Sequence, residues 1–531
     1  MNNGGGDGGG SAEATTRSPA PATRIDTPPF DTPSFDAARE DRRRWLVLAV
    51  VGTANVMSTL DTFIVNVAIP SIRHDLHASS GEAELVVTIY SLVYAVLLIT
   101  GGRLGDLFGR SRLFVIGIAT FTVASAACGL APTAGFLIGA RALQAAGAAI
   151  MVPQAYAVIQ QVFRPTERVR ALSLVTTAAS VAVIFAQLVG GVLVQLNLFG
   201  LEWRSVFFVN VPVGVVAMVA GLVVLPRVDA ERQAKLDLPG VVLVTTALLM
   251  VVVPLTEGRD LGWPPWLVVT LAGSPVAMWL FVRYQLWRTA HHKMPLVELS
   301  LFKARSFSVG VVLVALGQIS NAGLFFVLAI YLQSGRGLSP VMAGLVFAPL
   351  GIGYMSIALM SPRLSRRYGR TIIGVGYLVV AVAILGAILI LRLAPDASPF
   401  LLVAPVTLMG AGQGFVNAPL FATVLSRVRA GHEGAASGVM TTVQQTFASI
   451  GVAIEGLAYY SALGATAVVA GRIAPSAASN AFDRALWLNL VFILTAAAVV
   501  RLLPAKSATG ARPAGDAGGT GGPVVEAPSV G

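Results

Sequence analysis

Long apolar runs recur along almost the whole chain, separated by short polar connections rich in Arg, Gly and Pro. A run of about 20 apolar residues, rising 1.5 Å per residue as a helix, covers the roughly 30 Å of bilayer hydrocarbon. About fourteen such runs can be drawn, at 45–69, 83–104, 113–131, 134–162, 169–196, 204–225, 238–256, 264–287, 307–332, 340–361, 371–394, 399–425, 436–463 and 482–503. None alternates with period two, so each must satisfy its backbone groups within a helix rather than a barrel strand. The pattern predicts an all-α integral membrane protein.

Composition agrees, with 55% hydrophobic and 12% charged residues and a mean hydropathy of +0.76. A net charge of +11 would suggest a nucleic-acid partner in a soluble chain. Here topology absorbs it. With the N-terminus inside, Arg42, Arg43, Arg44, Arg110, Arg112, Arg164, Arg168, Lys303, Arg305, Arg366 and Arg367 all fall on inner connections, and few basic residues fall outside. That asymmetry predicts both termini in the cytoplasm and leaves no basic face for nucleic acid. Residues 1–43 and 504–531 are rich in Gly, Pro, Ser, Thr and Ala and are expected to be disordered tails. The first apolar run is long and follows arginines without a cleavage site, so it reads as a retained helix.

Several chemistries are excluded at this level. The single cysteine, Cys128, can form no intrachain disulfide. His74 with His77, and His291 with His292, lack a third ligand nearby in sequence, so no metal site is expected. None of Lys235, Lys293, Lys303 and Lys506 follows a glycine, which removes a Walker A loop and with it an ATP-binding domain. No polar insertion is long enough for a soluble catalytic domain, so the chain does not read as an enzyme. Gly410-Ala411-Gly412-Gln413-Gly414 lies inside an apolar run with no preceding strand, and reads as close helix packing rather than a nucleotide loop. Pro153, Pro349 and Pro419 read as kinks or packing points.

An internal repeat is visible. Pro362-Arg363-Leu364-Ser365-Arg366-Arg367-Tyr368-Gly369-Arg370 aligns with Gly102-Arg103-Leu104-Gly105-Asp106-Leu107-Phe108-Gly109-Arg110, after the tenth and second runs. This offset predicts a six-helix bundle at 44–225, two extra helices with their connections at 226–304, and a second six-helix bundle at 305–503.

The connection at 102–113 resembles the cytoplasmic signature of the major facilitator superfamily in Gly102, Leu104, Asp106, Gly109 and Arg110. Leu60-Asp61-Thr62-Phe63-Ile64-Val65-Asn66-Val67-Ala68-Ile69-Pro70 resembles the first-helix signature of its fourteen-helix drug:proton antiporter branch. Trp203-Arg204-Ser205-Val206-Phe207-Phe208-Val209-Asn210-Val211-Pro212-Val213-Gly214 resembles the sixth-helix signature. Arg141, Gln144, Gly147 and Ala149 match the fourth-helix pattern, with Ala145 where a glycine is usual. The resemblance runs from about residue 44 to residue 503. It implies the major facilitator fold and a secondary transporter that expels amphipathic drugs, antibiotics or secondary metabolites in exchange for protons, with no cofactor beyond the proton-motive force. One departure bears on direction. Ala186-Gln187 stands where the branch carries Gly-Pro before the glycines Gly190 and Gly191. This removes the proline reason for a helix-5 kink and leaves uptake or facilitated transport of a small metabolite as the alternative. The Arg-rich, Lys-poor, Ala-rich composition points to a high-G+C bacterium and hence to its inner membrane.

A proton-coupled carrier needs an intramembrane group that gains and loses a proton. Asp61 is the first candidate, about 24 Å along helix 1 from its cytoplasmic start, and Arg141 stands at a similar depth on helix 4. Their coupling would bias the inward–outward equilibrium; the plainer reading is a fixed ion pair that positions the two helices. Glu455 in helix 13 is the second acid, for coupling or cation recognition, or else snorkelling to the outer interface. Gln187, Gln144 and Asn66 are candidate polar contacts, because an amide among apolar helices is costly without a partner. Gly102, Asp106, Gly109, Arg110 and Arg112 are expected to form a cytoplasmic gate. There Asp106 would cap a neighbouring helix and pair with Arg110 or Arg112 in one state of the cycle.

Overall fold

Polar capping residues set several helix starts. Ser79 Oγ accepts from Glu82 N at 3.0 Å while Glu82 Oε2 accepts from Ser79 N at 2.8 Å, a reciprocal box that opens the second helix. Thr133 and Ser339 cap two others through their hydroxyls. The computed structural model describes Gly4, residues 35–226, 237–291, 293, 295–394, 397–425, 428, 433–463, 468–469 and 472–503. Its helices are α1 Phe35–Asp75, α2 Ser80–Phe108, α3 Arg110–Gly129, α4 Ala134–Val162, α5 Pro165–Leu196, α6 Ser205–Phe208, α7 Asn210–Val224, α8 Leu238–Glu257 and α9 Pro265–Ala290. They continue as α10 Arg305–Ile330, α11 Pro340–Ala358, α12 Ser361–Tyr368, α13 Thr371–Leu393, α14 Val403–Leu425, α15 Glu433–Leu463 and α16 Pro475–Val499. A two-residue antiparallel pairing of Val468–Val469 with Arg472–Ile473 is the one described departure from helix and turn.

The chain divides into two compact units, Met1–Arg43 and Arg44–Gly531. In the first, the backbone is helical from Phe35, where Ala37, Ala38, Arg39 and Glu40 are all good helix formers. The rest of the expected N-terminal tail and residues 504–531 lie outside the described residues. Among the described residues, thirteen helices are long and apolar enough to cross a membrane, or fourteen if the bent α5 counts as one span. The first span runs past its expected end at 69 to Asp75, and the last span is displaced at its start. It begins at Pro475 rather than at 482, because proline at the first helical position starts a helix readily even in a polar stretch.

α5 bends by 45° between its halves Arg170–Val183 and Phe185–Leu196, although no proline lies at the bend. Beyond the bend it packs tightly: a Cβ on Gly190 would lie 2.7 Å from the Ile64 side chain, and one on Gly191 would lie 2.5 Å from the Pro340 carbonyl oxygen. Close backbone approach thus accompanies the bend where sequence offered no kink.

α2, α3, α4 and α7 pack together in the first half, and α10, α13, α14, α15 and α16 in the second, with α11 on α14. The halves meet along two seams, α5 on α11 and α2 on α15. The extra pair, α8 and α9, is not interposed between them; α8 lies against both α2 and α15, alongside that second seam. Asp237 clamps the base of this pair. Its Oδ1 accepts from Gly240 N at 3.0 Å and Tyr284 OH at 3.1 Å and faces Arg288 Nη1 at 3.1 Å. Its Oδ2 accepts from Gln285 Nε2 at 2.9 Å and from Leu296 N at 3.2 Å.

The repeat has a backbone counterpart. Gly109 and Gly369, aligned in sequence, both take positive φ, 91° and 54°, and donate to the carbonyls of the aligned Gly105 and Ser365 at 2.9 and 2.8 Å. Positive φ at a helix end favours glycine over any residue bearing a Cβ. The glycines of 410–414 do serve packing: a Cβ on Gly410 would meet the Leu350 carbonyl, and one on Gly412 would meet Val380 and the Gly376 carbonyl.

Candidate functional site

Asp61 sits on α1 with no exposed surface, and side chains from α4 and α7 bond its carboxylate. Arg141 Nη1 on α4 reaches Asp61 Oδ2 at 2.5 Å. Gln144 Nε2, one helical turn further along α4 and therefore on the same face, donates to Asp61 Oδ1 at 2.9 Å. Asn210 Nδ2 at the start of α7 donates to the same oxygen at 2.9 Å. Ser125 Oγ on α3 accepts from Gln144 at 3.0 Å and from Asn210 at 3.2 Å, and donates to the Phe207 carbonyl at 2.9 Å.

Arg141 is held on every side. Its Nε donates to the Val86 carbonyl at 3.2 Å and its Nη1 to Gln144 Oε1 at 2.8 Å, while its guanidinium carbon lies 4.3 Å from the Tyr90 ring centroid and 5.7 Å from that of Phe207. Its Nη2 is buried with no hydrogen-bond partner among the described residues. A guanidinium fork supplies several directed donors at once, which an ammonium does not. The predicted pairing of Asp61 with Arg141 is therefore present, and Gln144 belongs to the same network.

The other predicted residues are distributed. Glu455 is fully buried on α15, which overturns the snorkelling alternative: helix packing turns it inward, and its Oε1 accepts from Asn489 Nδ2 on α16 at 2.6 Å. Asn489 also donates to the Ser320 carbonyl at 2.8 Å and accepts from Ser320 Oγ at 2.7 Å, while Glu455 Oε2 has no partner among the described residues. Gln187, 3% exposed, donates to the Phe63 carbonyl at 3.1 Å and leaves Oε1 without a partner. Asn66 is likewise buried with Oδ1 unpaired. Neither amide touches the Asp61 network.

At the 102–113 connection, Gly101 and Gly105 rather than Gly102 make the closest approach to α4. A Cβ on Gly101 would collide with the Ala149 carbonyl oxygen, whereas one on Gly102 would lie 3.7 Å from Pro153. Gln154 Nε2 donates to the Gly101 carbonyl at 2.7 Å, and Arg103 Nη2 to the Pro295 carbonyl at 2.6 Å. Arg112 is exposed and Arg110 half-buried. The side chain of Asp106, and with it the expected pairing to Arg110 or Arg112, lies outside the described residues.

Asn210, Ser125, Asn489, Gln154 and Glu84 carry no prominence in the sequence pattern. Asn210 was visible only as one letter of a signature. Glu84, 2% exposed, stands one residue inside the expected second span and so resembles an interfacial charge. Two cavities complete the picture. One of about 40 Å³ in the second half is lined by the amides of Gln318, Asn321, Gln413, Asn417 and Gln444. A second, of about 350 Å³, apolar and open on one side, is lined by α2, α8, α9 and α15 with the connection at Leu296–Phe302. Neither reaches Asp61. Among the described residues no cluster of His, Cys, Asp and Glu has the arrangement of a metal site.

Residues 51–452 match the Major Facilitator Superfamily. The probable actinorhodin transporter of Streptomyces coelicolor is 36% identical over 430 residues, covering 80% of this chain and 74% of that one. The puromycin resistance protein pur8 of Streptomyces alboniger is 37% identical over 422 residues, covering 78% and 81%. The tetracenomycin C resistance and export protein of Streptomyces glaucescens is 33% identical over 425 residues, covering 80% and 77%. Among solved structures, a bacterial homologue of the human lysosomal transporter Spinster aligns with a TM-score of 0.63 at 15% identity, covering 87% of this chain and 96% of that one. A D-xylose-proton symporter aligns with a TM-score of 0.61 at 15% identity, covering 87% and 98%. At such identity these two speak for the fold alone. With its two helical halves, its repeated glycine turn and this match over most of its length, the chain belongs to the Major Facilitator Superfamily and is a multi-pass membrane transporter rather than an enzyme.

Proposed function

We propose that the protein exports amphipathic antibiotics or related secondary metabolites from the bacterial cytoplasm in exchange for protons, with Asp61 as the coupling acid. The observation that carries this reading is the buried Asp61–Arg141 pair at 2.5 Å, ringed by Gln144, Asn210 and Ser125. Two charges inside a helical bundle are costly to bury, and apolar side chains would pack there at least as well. Protonation of Asp61 cancels the attraction to Arg141 and frees α1 to shift against α4. Substrate and proton then compete for one state of the carrier.

Relatives named for actinorhodin, puromycin and tetracenomycin C support a polycyclic or otherwise bulky amphipathic cargo. The apolar cavity of about 350 Å³ lies within the size range of small-molecule sites. In this reading both termini are cytoplasmic, and the bundles 44–225 and 305–503 rock about the seams while 226–304 rides beside them. Glu455, Gln187 and Asn66 contribute polar contacts as the halves move. Gly102, Asp106, Gly109, Arg110 and Arg112 gate the cytoplasmic face. One charge crossing about 150 mV supplies roughly 3.5 kcal/mol, enough to drive export without ATP.

The test is substrate-induced proton movement in everted vesicles carrying wild-type or Asp61→Asn protein, with a pH-sensitive dye and a panel containing actinorhodin, puromycin and tetracenomycin C. Proton release on drug addition in wild type alone supports the assignment. Equal release by both proteins removes Asp61 from the coupling role, and drug movement unaffected by the proton gradient removes exchange altogether.

A further inference from the structure

Beyond the Asp61 network and Glu455, another buried acid sits at the α2–α15 seam where the two halves meet. Glu84, in the second turn of α2, is pressed against the backbone of α15. A Cβ placed on Gly456 would run into Glu84 Oε1 and lie 2.6 Å from its Cδ, so a side chain there would make the carboxyl move. Glu84 is 2% exposed, makes no ion pair among the described residues, and leaves Oε2 without a hydrogen-bond partner. Two cations stand near it, Arg73 and Arg259, and neither forms an ion pair with it among the described residues, although Arg73 Nε is itself buried without a partner; Asp260 and Glu257 repel its ionised form. From α1, Arg73 donates to Tyr460 OH on α15 at 3.1 Å and to Ser80 Oγ at 3.3 Å. Arg259, beyond the end of α8, lies over the Tyr460 ring at 5.5 Å and beside Asp260 at 3.8 Å. Asp260 accepts from Gly81 N at 2.9 Å, Glu257 stands beside Gly81, and Glu82 is committed to the cap of α2.

An ionised carboxylate in this position would be buried with neither a paired cation nor full hydrogen bonding, whereas the neutral acid carries no such charge penalty. The arrangement observed, with α2 closed on α15, is therefore the arrangement of a protonated Glu84. We propose that Glu84 is a second proton site, distinct from Asp61, whose neutral form latches α2 to α15 at the face opposite the 102–113 connection and whose ionised form releases them. Glu257 and Asp260 offer carboxylates at the surface end of the same seam, where a proton would arrive. Linkage sets the sign: protons bind the closed state more tightly, so low pH favours closure and rising pH favours separation. The inference deepens the exchange reading and rests on it in requiring that this seam open during transport.

The experiment measures distances between spin labels at His77→Cys and Ser461→Cys, both exposed and on opposite sides of the seam, in nanodiscs without drug, across mildly acidic to mildly alkaline pH. In the otherwise wild-type protein the ratio of short to long distances should fall by up to about tenfold per pH unit while Glu84 titrates. Glu84→Gln, the uncharged isostere, should hold the short distance throughout. Gly456→Ala should enlarge the long-distance population at every pH, because its methyl occupies the space of the carboxyl. The proposal is overturned by a pH response in Glu84→Gln equal to that of wild type, by a pH-independent distance in wild type, or by failure of Glu84→Gln to fold. Because no drug is present, these outcomes stand apart from the vesicle test: proton exchange can fail with the latch intact, and the latch can fail with exchange intact.

Discussion

Asn210 at the start of α7 donates through Nδ2 to Asp61 Oδ1 on α1 at 2.9 Å. The bond joins the first and sixth spans through the one carboxylate that also holds the fourth. A hydrogen bond to a charged acceptor contributes about 1.5–3 kcal/mol. Asn210→Leu should therefore lower drug-driven proton release by roughly tenfold or more while the protein still inserts and purifies. The vesicle assay, normalised to folded protein, checks this; an unchanged rate per molecule would make Asn210 a packing residue.

Arg141→Lys tests whether the site needs a cation or a guanidinium. Lysine could still reach Asp61, but it cannot at the same time donate to the Val86 carbonyl and Gln144 and lie flat over Tyr90. We expect transport at least tenfold below wild type and a loss of about 1–3 kcal/mol in stability, read by thermal unfolding in detergent. Full activity in the lysine variant would reduce the site to simple charge pairing.

Asp237 organises the extra helices rather than the coupling site. Asp237→Ala leaves Arg288, Gln285 and the Leu296 amide without their common acceptor. Breaking a buried pair by removing one partner costs about 3–5 kcal/mol. Hydrogen exchange should rise at 237–241 and 284–297 before it rises at α1 or α4. Uniform loss of protection across the chain would show instead that the pair is integral to the whole fold.

Gly410→Val should separate α14 from α11, since even a Cβ there would collide with the Leu350 carbonyl oxygen. Overpacking of this kind costs about 1–3 kcal/mol or more, seen as a lower unfolding temperature. Gly135→Ala, where a Cβ meets nothing within 4 Å, is the matched control and should be neutral.

Much of the architecture was legible in the sequence because the bilayer imposes a length and a polarity on every span. The runs at 134–162 and 399–425 coincide closely with α4 and with the span that includes α14, whereas the connection expected at 102–113 is mostly helical, with only Gly109 separating α2 from α3. The Asp61–Arg141 pairing was legible too, because two rare intramembrane charges at matching depth have few other places to go. Asn210, Ser125 and Asn489 were not, since a small polar residue in an apolar run reads the same whether it faces a carboxylate or its own helix.

By itself the sequence determined that the chain is a bundle of transmembrane helices built from two related halves, since apolar length, arginine placement and the repeated glycine turn are properties of local segments. Only the tertiary structure decided which polar groups meet. It turned Glu455 inward onto Asn489, bent α5 with no proline at the bend, laid α8 along the α2–α15 seam, and left Glu84 pressed against Gly456 without an ion-pair partner among the described residues. The reason is that the rotation of a helix about its axis, and the neighbour it meets, follow from packing summed over many distant residues. No single segment carries that information.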